Sequence, residues 1–217
     1  MMDLTVFISL CRGKIKNIPV VLYFHENQLS YPWKPSDRDI KHKRDMHYGF
    51  INFSSALAAD KVLFNSEFHM NSFLEDLKRF LKNFPDNREI KKVNQIKRKS
   101  EVLYLGLNLK KFDQFKLKAN NKPTILWNHR WEYDKNPELF FNTLKKLKEN
   151  NIGFKLVVVG ESFSKAPSIF DEARKILSDN IIHWGYAKTF GEYADWLWKS
   201  NILPVSSIQD FFGISIM

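Results

Sequence analysis

The chain has 217 residues, 44% hydrophobic and 15% aromatic, and its 34 Lys and Arg outnumber 24 Asp and Glu to give a formal net charge of +10. That composition supplies packed cores for one large or two small globular domains, while the single Cys11 excludes a disulfide framework and a thiolate metal cluster and fits a reducing compartment such as the cytoplasm. No apolar run reaches the roughly 18 residues that span a bilayer, and "LTVFISLC" has no basic residue before it and no small-residue cleavage site, so neither a membrane span nor a signal peptide is expected.

In chain order, "IPVVLYF" (18–24) predicts a buried parallel strand that ends abruptly in the polar loop "HENQ", and the two prolines of "YPWKPSDRD" predict a further loop. "DMHYGFINFSSALAAD" (45–60) predicts a helix and "KVLFNS" (61–66) a strand. From Ser66 the positions Met70, Phe73, Leu74, Leu77, Phe80 or Leu81, and Phe84 recur at helical spacing, with Ser66 as N-cap and Pro85 as stop. "REIKKVNQIKRK" (88–99) reads only as a charged stretch, and "EVLYLGLNL" (101–109) as the last strand of this series, leading into a turn.

A second series begins at Pro123. "TILWNH" (124–129) predicts a strand, Asn136-Pro137-Glu138 a helix start with Phe140, Leu144 and Leu147 as its buried stripe, and "FKLVVVG" (154–160) a strand with Gly160 at its exit. Then follow a helix in "PSIFDEARKIL" (167–177), a strand in "NIIHWGY" (180–186), a helix in "FGEYADWLWKS" (190–200), a last strand in "NILPVSS" (201–207) and the start of another helix in "QDFFGISIM" (209–217). Strands alternating with helices mean parallel sheets covered on both faces. The change to lysine-rich polar sequence divides the chain into α/β units at 1–109 and 123–217 joined by a basic linker at 110–122.

Familiar motifs fail at decisive positions. "HENQL" (25–29) begins like a zincin helix but has leucine where the second histidine must stand, "DRD" (37–39) imitates a metal-holding carboxylate pair inside a Pro-flanked loop, and "GESFSK" (160–165) lacks the second glycine and the ending of a P-loop. Neither G-x-G-x-x-G nor G-x-S-x-G occurs. No metal site is expected.

One constellation survives. Arg130 and Lys135 stand in the loop between a strand and the helix beginning at Pro137, where cations and a helix N-terminus meet at the carboxyl ends of parallel strands and hold anions such as a diphosphate. At a second strand end, Gly213 permits close backbone approach and the amides of Ile214 and Ser215 are expected to point into the same crevice. The basic stretches 88–99 and 109–122 attract polyanions such as RNA, although an A/T-rich genome writes the same lysines, so charge alone leaves both readings open.

"LYFHENQLSYP", "FNSEFHMNSF", "NHRWEYDKNPELFF", "HWGY" and "FFGISIM", in that order over almost the whole chain, resemble the tRNA-queuosine α-mannosyltransferase family, a branch of the family 4 retaining glycosyltransferases. The resemblance implies an α/β fold of GT-B type, with two Rossmann-like parallel-sheet domains facing a cleft. It implies that Arg130 and Lys135 hold the donor diphosphate and that Asp210 stands where the family has the first glutamate of E-x7-E, touching sugar hydroxyls. His25 then approaches the donor sugar from the other domain, and Glu26, Asn27, Asn65 and Ser66 face the cleft. Trp184, Gly185 and Tyr186 lie near the nucleotide base, with Phe212, Gly213, Ile214 and Ser215 in the donor loop.

The second acid of E-x7-E falls at position 218 on this pattern, and the Gly-rich first strand of the family has no counterpart before "LTVFISL", so both domains are expected to be incomplete and the chain as given inactive. The implied activity is transfer of mannose from GDP-mannose to queuosine in tRNA, with retention, in the cytoplasm and without a metal or other cofactor. Two other readings stay open: the same donor chemistry on a lipid or polysaccharide acceptor, and a non-catalytic basic RNA-associating protein.

Overall fold

The computed structural model describes residues 3–31, 45–116, 122–161 and 166–217 and divides into two units, Met1–Gly106 and Leu107–Met217. "DRD" (37–39), most of "GESFSK" and linker residues 117–121 lie outside the described residues.

In the first unit, β1 (Val21–Phe24), β2 (Lys61–Phe64) and β3 (Ser100–Val102) form a parallel sheet in that order. Two predicted helices pack against it. α2 (Asp45–Ala58) lies where a helix is predicted, and α3 (Glu67–Lys82) follows the expected apolar spacing. Phe73, Leu74, Leu77, Phe80 and Leu81 are buried on one face of α3, where the ring of Phe73 lies 5.0 Å from Phe24 and 5.3 Å from Phe64. Ser66 caps α3, its Oγ accepting from the His69 amide at 3.0 Å.

Three features depart from expectation. "LTVFISLCRGKI" is a helix, α1 (Leu4–Ile15), opened by the Asp3 carboxylate accepting from the amides of Thr5 and Val6. The charged stretch 88–99 holds α4 (Ile90–Arg98), which buries only Val93 and Ile96; its N-cap Glu89 has φ 48° and makes no side-chain cap bond, so no start signal marks it. The predicted strand 101–109 ends at Val102, opposite Phe64 at the end of β2, with one further bond from the Leu103 amide to the Phe64 carbonyl, and Leu103 and Tyr104 are exposed.

In the second unit, β4 (Thr124–Asn128), β5 (Lys155–Val159) and β6 (Ile181–Gly185) form a second parallel sheet in that order. β4 and β5 are buried on both faces, as an α/β sheet requires. Ile125, Trp127, Leu156 and Val158 join one core with Phe140, Phe141, Leu144, Phe170 and Ala173 of α6 (Pro137–Glu149) and α7 (Ile169–Ile176). The alternate residues Leu126, Val157 and Val159 face Tyr193, Trp196 and Leu197 of α8 (Phe190–Lys199). A short helix α5 (Lys110–Asp113) lies within the expected linker, and its Phe112 packs 4.9 Å from Phe190.

"NILPVSS" is not a strand. Ile202 alone bridges Ile125, with the Leu126 amide donating to the Ile202 carbonyl at 2.9 Å. Backbone groups alternate sides along an extended chain, so the next residue to face β4 is Pro204, which has no N–H to continue the ladder. The expected helix start at 209–217 is a turn, closed by the Ile216 amide donating to the Gly213 carbonyl at 2.8 Å. Only Phe211 of that apolar run is buried; Ile214 and Met217 are 58% and 66% exposed. Among the described residues no helix is long and apolar enough to cross a membrane.

Candidate functional site

Parallel pairing places the carboxyl ends of β4, β5 and β6 on one edge of the second sheet. A cavity of about 380 Å³ opens there, lined by Asn128, Val159, Gly160, Tyr186, Lys188 and Tyr193 among others. The predicted Gly185 sits at the end of β6 with φ 122°, and Tyr186 beside it is 70% exposed, a ring presented to solvent rather than to the core. Trp184 is the opposite case. It is half-buried and packs against the aromatic core, 5.5 Å from Trp131 and 5.8 Å from Phe141.

Gly160 has φ 139°, and a Cβ there would lie 2.1 Å from the His129 carbonyl oxygen, so only glycine lets β5 leave the sheet this close to the end of β4. Asn128, at that end, accepts from the Tyr193 hydroxyl at 3.0 Å and donates to the Ser215 carbonyl at 2.7 Å. The Ser215 hydroxyl in turn meets His129 Nδ1 at 3.0 Å. The predicted loop residue Ser215 is thereby held against the strand end.

Beside it, the Lys135 ammonium contacts Asp210 Oδ1 at 2.7 Å and Asp134 Oδ2 at 3.1 Å. Burial alone lowers the pKa of Lys135, but the bond to Asp210 and the charges of Asp134 and Asp210 outweigh it, and the pKa is raised. Burial likewise pushes the Asp210 carboxyl up, and the bonds from Lys135 and the Ser207 hydroxyl outweigh that, holding it below the usual carboxylate range. Lys135 is therefore a buried cation between two carboxylates, with only 11% of its side chain exposed. Arg130 is its contrast: 54% exposed and paired 3.2 Å from Glu132. The structure joins Lys135 to Asp210, and Ser215 to this cluster through His129, whose pKa burial lowers with help from the Lys135 charge. Gly213 follows Asp210 by three residues at φ 69°, Ile214 is exposed, and Phe212 is half-buried.

In the first unit, His25 and Glu26 are exposed at the end of β1, while Asn27 is fully buried. Asn27 shapes the loop from inside: its Oδ1 accepts from the amides of Leu29 and Ser30 at 3.0 and 3.2 Å. Asn65 is also buried and donates to the His25 carbonyl at 2.9 Å, and Ser66 is the N-cap of α3. Asn27 and Asn65 accordingly hold the loop, and His25 and Glu26 are the side chains it presents.

His69 is fully buried behind that loop, and burial, helped by the charge of His25, lowers its pKa from 6.5 to about 4. A pKa below its unfolded value means that the folded unit binds fewer protons, so this contribution to stability is complete above pH 6.5 and is lost as the pH falls through about 4. The full window is worth about 3 kcal/mol. Urea unfolding of the first unit at pH 7 and pH 5 is expected to differ by about 2 kcal/mol from this group, and a pH-independent midpoint would contradict the neutral buried ring.

Asn128, His129, Asp134 and Tyr193 escaped the sequence reading as site residues. Three of them lie within "NHRWEYDK", the string that singled out Arg130 and Lys135, but Ser215, which meets Asn128 and His129, and Asp210, which meets Lys135, lie more than seventy residues away in sequence. Among the described residues, no group of three or more His, Cys, Asp or Glu is placed to hold a metal ion.

Residues 1–107 match the family model described as tRNA-queuosine α-mannosyltransferase N-terminal. A tRNA-queuosine α-mannosyltransferase of Drosophila melanogaster is 37% identical over 207 residues, which cover 91% of this chain and 53% of that one. The chain thus spans about half the length of the curated relative it matches. In fold it is similar to a crystal structure of a glycosyltransferase from Rickettsia africae ESF-5, with a TM-score of 0.54 and 17% identity over 96% of this chain and 56% of that chain. Two parallel α/β units of this kind, a family model matching residues 1–107 and a sequence match over 91% of the chain lead to one conclusion: the chain is similar to the tRNA-queuosine α-mannosyltransferases over most of its length.

Proposed function

We propose that this chain carries donor-binding and acceptor-side units of a glycosyltransferase that moves mannose from GDP-mannose to queuosine in tRNA, in the cytoplasm. The observation that carries the reading is the cavity at the carboxyl ends of β4 to β6, lined by Asn128, from which the chain runs directly into the loop carrying Arg130 and Lys135. In this proposal Tyr186 and Gly185 border the guanine, and Arg130 grips the diphosphate with its bidentate fork. Lys135 gives it the one ammonium donor that Asp134 and Asp210 leave over. The Ile214 and Ser215 amides, with Phe212 and Gly213 shaping their loop, add neutral donors. These groups stabilise charge on the leaving diphosphate as oxyanion sites do, in place of a divalent metal. Asp210, fixed by Lys135 and Ser207, orients sugar hydroxyls, while His25 and Glu26 belong to the acceptor-side unit.

The test is calorimetric binding of GDP-mannose to the 217-residue chain and to Arg130→Ala. Loss of a charge-assisted phosphate contact is expected to weaken binding about 10- to 100-fold. Equal affinity would remove Arg130 from the donor site, and absence of binding by the unsubstituted chain would overturn the donor reading.

The tRNA part makes its own prediction. Val93 and Ile96 turn one face of α4 inward and leave Lys91, Lys97 and Arg98 exposed and Lys92 half-buried. Lys99 is not part of that surface, since its ammonium donates to the carbonyls of Leu57 and Ala59 near the end of α2. Replacing Lys91, Lys92, Lys97 and Arg98 together by alanine is expected to weaken tRNA binding and to flatten the log–log salt dependence by about 3. An unchanged slope would return those charges to composition.

A further inference from the structure

Among the contacts behind the first unit's strand-end loop, one chain of hydrogen bonds joins the first turn of α3 to the backbone of His25. β1 and β2 pair in register up to Phe24 and Phe64, so His25 and Asn65 are the next partners past the end of the ladder. There the side chain takes over from the backbone: Asn65 Nδ2 donates to the His25 carbonyl at 2.9 Å. Asn65 is 3% exposed, and its Oδ1 lies 2.7 Å from Nδ1 of the fully buried His69.

The chemistry of these groups fixes every hydrogen in the chain. A carbonyl only accepts, so the amide nitrogen of Asn65 must face His25 and its oxygen must face His69. An amide oxygen also only accepts, so His69 Nδ1 must carry the proton. The ring is fully enclosed, packed at near-perpendicular angles 5.2 Å from Phe64 and 6.3 Å from Phe24, while its backbone amide is held by Ser66 Oγ at 3.0 Å. The His25 ring, by contrast, is exposed and rests edge-on against Tyr23 at 4.8 Å, whose hydroxyl is tied to the Leu103 carbonyl at 2.9 Å.

We infer that His69, as its Nδ1–H tautomer, is a positioning residue that sets the His25 backbone through Asn65 and so aims the exposed His25 ring. This deepens the proposed function and rests on it only for what His25 faces. Without the His69 donor, the Asn65 amide has no reason to keep its orientation, and a buried acceptor is left unmatched. Asparagine at position 69 can place an amide donor near the position of Nδ1; leucine cannot.

The experiment is histidine-ring nitrogen–proton correlation NMR on the 217-residue chain, alone and with GDP-mannose, and on His69→Leu and His69→Asn. In the unsubstituted chain, His69 is expected to show a protonated Nδ1 and a bare Nε2 at pH 7; a protonated Nε2 overturns the inference, whatever the variants do. His69→Leu is expected to shift the His25 ring resonances and His69→Asn to return them toward their original positions. A folded His69→Leu chain with unmoved His25 resonances also overturns it. If the tautomer and the shifts are as expected but GDP-mannose binds without perturbing His25, the inference stands and the placing of His25 at the donor sugar fails alone.

Discussion

Lys135→Ala is expected to destabilise the second unit by about 3–5 kcal/mol, read as a fall in its urea midpoint at pH 7. The carboxylates left behind are the reason. Asp134 is 1% exposed and Asp210 23%, and both meet the same ammonium, so removing it takes the shared cation away from two partly or fully desolvated negative charges. Replacing Asp134 and Asp210 by asparagine in the same chain is expected to recover much of the loss, because the penalty belongs to unpaired charge rather than to the missing lysine stem. Arg130→Ala sets the scale. Its guanidinium is exposed and its partner Glu132 lies on the surface, so stability should move by no more than about 0.5 kcal/mol. Equal midpoints for Lys135→Ala and the unsubstituted chain would show that the ion cluster is not what joins the 206–215 loop to the sheet.

Gly160→Ala is expected to cost about 3 kcal/mol or more, from two causes that add. A φ of 139° is strained for any residue with a side chain, worth about 1–3 kcal/mol, and the new methyl would sit 2.1 Å from a backbone oxygen that has no rotamer to escape into, worth about as much again. Relief requires β5 and the end of β4 to move apart, which displaces His129 and, through Asn128, the Ser215 carbonyl. Thermal unfolding and GDP-mannose binding should therefore both suffer in this variant. Gly185→Ala is the control: its φ of 122° carries strain, but nothing lies within 4 Å of the added atom, so it should cost less. Equal losses at the two positions would mean that strain alone, without the close approach, sets the cost.

Most elements are legible from local pattern. The stripe from Met70 to Leu81 with Ser66 before it, or Asn136-Pro137 before Phe140, needs no distant information, because burial face and cap are written within one helix. The failures share a cause. α4 has two buried residues and no capping side chain, so its sequence looks like a solvated charge run until α3 is there to pack on. "NILPVSS" has the composition of a strand, yet whether it pairs depends on which side of the chain Pro204 turns toward β4.

The site divides in the same way. Its residue types and their placing at strand ends follow from the sequence, since an apolar run that stops at a polar loop in an α/β chain marks the edge where ligands bind. Arg130, Lys135 and the glycine and amides of 213–215 are readable on that basis, whereas His25, Tyr186 and Asp210 enter only through the family resemblance carried by strings such as "NHRWEYDK". Which of them face solvent is not readable. Two lysine or arginine codons five apart carry no hint that one becomes a surface fork and the other a buried ammonium between Asp134 and Asp210. Asn27 and Asn65 likewise look like ligand groups until the fold turns them inward to hold a loop. Burial is a property of contacts between residues far apart in the chain, and it sets both the charge state and the availability of a polar group, so tertiary structure alone could decide it.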